Sequence, residues 1–179
     1  GAAALLVERE LPLSVPQIIV KNSRHAMAEL AIEFYGHPLD GIPVIGITGT
    51  NGKTTSSRMI EQAFLEQGKS YFANRSGANL ISGITTEFVI NSSLSGKCCK
   101  EYAVIECDEA AARKVFSQLK PQVIVVTNLF RDQLDRYGEV THTLENIREG
   151  IKGAPGATLC LNADCSLTAS LANDLPNRA

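Results

Sequence analysis

From residue 43 onward, short apolar runs rich in Val and Ile alternate with longer amphipathic segments. The runs fall at 44–48 (VIGIT), 71–73, 102–106 (YAVIE), 123–127 (VIVVT) and 158–161 (TLCL). Between them, apolar positions at helical spacing predict helices over 53–67, 77–90, 109–118 and 140–152. Runs that are apolar throughout belong to strands buried on both faces, as in parallel sheets covered by helices on either side. The expectation is an α/β domain over about 43–172, a three-layer, mostly parallel sheet with flanking helices. The first forty residues follow another pattern. Ala2 to Val7 and Val15 to Val20 read as two strands joined by a turn, and Ser23 as the cap of a helix over 24–35 with Met27, Leu30, Ala31 and Phe34 on one face. Gly36-His37-Pro38 stops that helix and 38–42 reads as a linker, while 91–100 (NSSLSGKCCK) reads as a surface excursion.

Composition narrows the functional class. The 179 residues are 44% hydrophobic and 20% charged, which excludes wholesale disorder and coiled coil. Lys+Arg 17 against Asp+Glu 19, with the basic residues scattered, leaves no footprint for a nucleic-acid partner. No apolar run approaches the roughly 18 residues of a transmembrane segment, and Glu8, Arg9, Glu10, Pro12 and Pro16 interrupt the place where a signal peptide needs its apolar core. A cytoplasmic protein is expected. Cys98, Cys99, Cys107, Cys160 and Cys165 form no C-x-x-C pair, so reduced thiols are expected rather than a zinc ribbon or a disulfide framework, with Cys98-Cys99 as a candidate reactive pair.

The strongest chemical signal is Gly49-Thr50-Asn51-Gly52-Lys53-Thr54-Thr55, directly after the strand 44–48 and opening a helix. Glycines there let backbone N–H groups converge on an oligophosphate, and the helix N-terminus adds its positive end. Lys53 supplies a cation for β/γ oxygens, and the Thr54 hydroxyl can hold Mg²⁺. Position 47, a Gly in the general phosphate-loop spacing, is Ile here, and an ordinary Gly-rich turn is the competing reading. Mg²⁺ needs further oxygen ligands from neighbouring strand ends, and Glu106 is the first acid after the run 102–105. A helix-capping or solvated carboxylate is the alternative for Glu106. The stretch 128–137 (NLFRDQLDRY) is a second polar strand end, with a solvated charged loop as its alternative.

TGTNGKTT at 48–55, an acid closing a later strand, TNLFRDQLDRYGE at 127–139 and LNAD at 161–164 together resemble the central ATPase domain of the Mur ligase family. The resemblance implies ATP and Mg²⁺ as cofactors and activation of a carboxylate as an acyl phosphate for attack by an amine, in peptidoglycan precursor synthesis. Residues 1–60 resemble the MurE branch, which adds an amino acid to a UDP-MurNAc-peptide. Residues 74–172, with NRSGANLISGI and IECDEA, resemble the MurT branch, whose partner is a GatD-like glutamine amidotransferase and whose product is amidated D-glutamate in lipid II. Two departures from the amino-acid-adding branch favour MurT: Gln133 stands where those ligases have a metal-proximal histidine, and the helix after it carries no lysine before Lys152.

Carried over position by position, the resemblance makes Lys53 and Glu106 the catalytic pair, Thr54 and Glu106 the metal ligands, and Gly49, Thr50, Asn51, Gly52, Lys53, Thr54 and Thr55 the nucleotide loop. Asn79, Asn128, Asp132 and Gln133 line the nucleotide site, while Asp135 and Arg136 are structural. His25, His37 and His142 fall outside the constellation. Residues 1–42 are expected to be the end of an N-terminal Mur-ligase domain plus linker, and 43–179 a central ATP-binding domain truncated before the closing third domain, able to bind nucleotide without turnover. The rivals are a MurE-like amino-acid ligase and an inactive nucleotide-binding remnant.

Overall fold

The computed structural model describes residues 2–34, 41–74, 79–93, 97–130 and 137–177. Five strands form one sheet: β3 (Val44–Thr48), β4 (Tyr71–Ala73), β5 (Tyr102–Glu106), β6 (Val123–Val126) and β7 (Thr158–Leu161). Their spatial order is β4-β5-β3-β6-β7 and every neighbouring pair is parallel. The helices between them are α2 (Lys53–Glu66), α3 (Ile81–Ile90), α4 (Ala112–Leu119) and α5 (Tyr137–Lys152), and α6 (Ser166–Asp174) follows β7. The apolar runs predicted these strands because both faces are covered. Ile47, Ala73 and Val104 pack with Ile60 and Phe64 of α2 on one face. Phe72, Ala103, Ile105, Ile124 and Val126 pack on the other with Ile84 and Phe88 of α3, Phe116 of α4 and Ile147 and Ile151 of α5. Successive strand residues thus serve opposite layers, as the two-residue strand period requires. The connection from β3 runs to one side of the sheet and that from β6 to the other, so the carboxyl ends of β5, β3 and β6 flank a topological switch point, where open α/β sheets bind ligands.

The N-terminal segment departs from expectation in two ways. β1 (Leu5–Val7) and β2 (Gln17–Ile19) pair in parallel, not as a simple hairpin. The connection must therefore return across the pair, and Gln17 holds it by accepting from Leu11 N–H at 2.9 Å and donating to Leu11 O at 2.8 Å. The helix α1 (Ser23–Phe34) has Ser23 as its first residue, and the Ser23 hydroxyl donates to Glu8 Oε1 at 2.9 Å. Its apolar stripe is largely exposed, Met27 at 63%, Leu30 at 54% and Phe34 at 79%. The contact with α3 is narrower than the stripe: Met27 and Ala31 border a cavity of about 490 Å³ together with Gly83, Thr86 and Ile90 of α3. The predicted stop at Gly36-His37-Pro38 lies outside the described residues, as does part of the linker. The excursion at 91–100 is closed by an antiparallel bridge between Ser92 and Cys98.

Candidate phosphate and metal site

Three strand ends meet over the loop 49–52. Gly49 continues β3 with φ 125°, and Gly52, with φ 86°, turns the chain into α2. Gly52 at the cap position has no side chain to cap the start of α2, and a helix N-terminus left so is where an anion binds. The loop is tied to the end of β6: Thr50 N–H donates to Asn128 O at 2.8 Å, and the Thr127 hydroxyl lies 2.6 Å from Asn51 O and 3.2 Å from Thr48 O. Ile47, the position at which the general motif has a glycine, is fully buried on β3, so the loop begins after it.

Lys53 and Thr54 both point toward the end of β5. Lys53 Nζ donates to Gly49 O and sits 3.2 Å from Glu109 Oε1, with both side chains 15% exposed. The Thr54 hydroxyl donates to Glu106 Oε2 at 3.0 Å. Glu106 is 7% exposed, and its backbone is clamped by Asn74, itself 3% exposed. Asn74 Oδ1 accepts from Glu106 N–H at 2.7 Å and Asn74 Nδ2 donates to Glu106 O at 2.8 Å. Sequence reading missed Asn74, Thr127 and the ion pair of Glu109, because none belongs to the loop motif. The polar residue that follows the run 71–73 and the one that closes the run 123–127 were the available signal.

The donor set fits Mg²⁺. Two neighbouring ligands of an octahedral Mg²⁺ at about 2.0–2.1 Å lie about 3 Å apart, which is the separation of Thr54 Oγ1 and Glu106 Oε2. Among the described residues no three His, Cys, Asp or Glu side chains cluster for a metal. Two buried oxygens beside the loop, Thr48 Oγ1 and Asn128 Oδ1, have no hydrogen-bond partner among the described residues, a polarity that a bound group would satisfy. Asn79 reaches the same region through its carbonyl, which accepts from Asp108 N–H at 3.1 Å. Asp132, Gln133, Asp135 and Arg136 lie outside the described residues.

The remaining candidates stand apart. His142 is exposed on α5, with Nδ1 3.5 Å from Asn146 Nδ2. Lys152, the first lysine of α5, pairs with Glu149 at 2.7 Å on the outside of the last turn. All five cysteines are free thiols. Burial, aided by the neighbouring Asp108 and Glu109 charges, pushes the Cys107 thiol far above the ordinary thiol range. Maleimide labelling of the native protein should therefore modify the exposed Cys99 and Cys160 at least about a hundredfold faster than Cys107, which becomes reactive only on unfolding. Peptide mapping of the labelled protein checks this, and early modification of Cys107 would contradict its burial.

Residues 47–179 match the sequence profile of the Mur ligase middle domain. The chain belongs to the Mur ligase family. It is 40% identical over 124 residues to the lipid II isoglutaminyl synthase (glutamine-hydrolyzing) subunit MurT of Streptococcus pneumoniae, a match covering 69% of this chain and 27% of that protein. It is 35% identical over 165 residues to the UDP-N-acetylmuramoyl-L-alanyl-D-glutamate–2,6-diaminopimelate ligase of Geobacillus kaustophilus, covering 83% of this chain and 32% of that protein. Among solved structures, MurF ligase of Thermotoga maritima in complex with ADP aligns with TM-score 0.72 and 25% identity, over 98% of this chain and 40% of that one. The chain thus spans about a third or less of the length of these two curated relatives. The fold and the Mur ligase assignment agree with the sequence reading. Among the described residues no helix is long and apolar enough to cross a membrane.

Proposed function

We propose that residues 43–179 form the ATP-binding domain of a cytoplasmic, ATP-dependent carbon–nitrogen ligase of peptidoglycan precursor synthesis, and that residues 1–42 are the end of a preceding domain. The observation that carries the reading is the convergence of Lys53, Thr54 and Glu106 over a glycine loop at the switch point. In this reading the loop amides and Lys53 hold the β- and γ-phosphates of ATP, and Thr54 and Glu106 would hold Mg²⁺, which supplies charge neutralisation on those phosphates. Asn128 and Asn79 border the nucleotide, and the family resemblance assigns Asp132 and Gln133 to the same site. The acceptor is most like that of MurT, ammonia from a GatD-like glutaminase acting on lipid II D-glutamate. The 40% identity to a glutamine-hydrolyzing subunit supports this, as do Gln133 and the outward Lys152. A MurE-like amino-acid ligase is favoured by one observation, the longer match to a diaminopimelate ligase, which includes more of this chain. ATP hydrolysis coupled to glutamine-derived ammonia, as against diaminopimelate, separates the two.

The test is thermal unfolding with MgATP. Ligand at about a hundred times its Kd stabilises the folded state by about 2.7 kcal/mol, which raises the midpoint by about 5–10 °C for a domain of this size. Lys53→Ala should abolish that shift, and Glu106→Gln should remove its Mg²⁺ dependence. An unchanged shift in Lys53→Ala would refute the phosphate assignment. No shift in any variant would favour an inactive remnant.

A further inference from the structure

We propose that Glu109 is the resident counter-ion of Lys53: its carboxylate occupies the ammonium that a polyphosphate must take over, and so couples polyphosphate entry to a divalent cation. The inference rests on the phosphate-site reading above. Lys53 and Glu109 are 56 residues apart in sequence yet 3.2 Å apart in space, and each side chain is only 15% exposed. A lysine so sheltered needs a compensating charge. Glu109 is held in place to supply it, because the turn before α4 is fixed by Asp108 N–H on Asn79 O, Ala110 N–H on Asp108 Oδ1 and Ala112 N–H on Asp108 O. Of the three ammonium donors, Gly49 O and Glu109 Oε1 take two.

An arriving phosphate oxygen must therefore displace or share with Glu109. Among the described residues it also meets one formal positive charge, Lys53, against two formal negative ones, Glu106 and Glu109, in a partly desolvated crevice. Bare polyphosphate is repelled by that balance, and a cation on its oxygens offsets the repulsion. Neutralising Glu109 frees the ammonium and tips the balance without changing the shape of the side chain.

Titration calorimetry with tripolyphosphate and with ATP, in EDTA and in Mg²⁺, tests this on the 179-residue chain, Glu109→Gln, Lys53→Ala and the double variant. Unliganded melting curves establish that each variant is folded. Glu109→Gln should tighten cation-free binding by about tenfold and narrow the ratio between Mg²⁺ and EDTA affinities, and the gain should vanish in the Lys53→Ala background. No gain in Glu109→Gln, a loss, or the same gain without Lys53 would overturn the counter-ion role. If Mg²⁺-dependent binding in the parent chain is lost in Lys53→Ala while Glu109→Gln gains nothing, only this inference falls. If Lys53→Ala binds as the parent does, the phosphate-site reading falls and the inference with it.

Discussion

Gly49→Ala is expected to destabilise the protein by about 3–5 kcal/mol, combining the cost of a forbidden backbone region with that of overpacking. At φ 125° an L-residue pays conformational strain wherever it sits. A Cβ here would also lie 2.3 Å from Thr127 Oγ1, 2.9 Å from Asn128 O and 3.0 Å from Asn128 N. The two Asn128 atoms are backbone at the end of β6, so a side-chain rotation cannot relieve the clash. The loop would have to lift away from β6, breaking the bonds from Thr50 N–H to Asn128 O and from Thr127 to Asn51 O. Gly52→Ala is the comparison. Its φ of 86° is also left-handed, but the nearest atom to a built Cβ is Thr127 Cβ at 3.8 Å, leaving only the conformational cost of about 1–2 kcal/mol. Chemical denaturation of both variants should give the larger loss for Gly49. Equal losses would mean that closure of the loop on β6 contributes nothing beyond backbone strain.

The same contrast shows what the chain discloses locally. The strands were legible because both faces of β3, β5 and β6 are buried, so their residues are apolar without alternation. The loop was legible because glycine, lysine and threonine are all needed within seven consecutive positions. The rule that ligands gather at strand ends put Thr54 and Glu106 together, and their side chains lie 3.0 Å apart although 52 residues separate them.

What escaped depends on contacts that no local pattern encodes. Thr127 reaches Asn51 across 76 residues and Lys53 reaches Glu109 across 56, and both pairings follow from the strand order β5-β3-β6. Strand order is a tertiary fact. The parallel pairing of β1 and β2 was hidden likewise, since apolar runs fix the faces of a strand and not its direction. Helical spacing in α1 identified an apolar face, but spacing does not say what lies against it, and Met27, Leu30 and Phe34 are exposed.

Asn74→Ala is expected to cost about 2–4 kcal/mol and to uncouple binding from the cation, because Asn74 acts on the metal-ligand candidate through its backbone. Along β5 alternate N–H groups face opposite neighbours. Ala103 and Cys107 N–H donate toward β3, to Pro43 O and Ile47 O, and Tyr102 N–H donates toward β4, to Ser70 O. By that alternation Glu106 N–H faces β4, which has ended at Ala73. The Asn74 amide substitutes for the missing strand with two short bonds to the backbone of Glu106, a residue only 7% exposed. Alanine would strip both, leaving one donor and one acceptor without partners at about 1–3 kcal/mol each, offset in part by relaxation. Asn74→Asp should do no better, since it retains an acceptor for Glu106 N–H but sets a carboxylate oxygen against Glu106 O. A purely structural role would lower the melting midpoint while leaving the Mg²⁺ concentration for half-maximal ATP-induced stabilisation unchanged. A positioning role predicts that this concentration rises about tenfold, because the Glu106 carboxylate is no longer aimed at Thr54 Oγ1 at 3.0 Å.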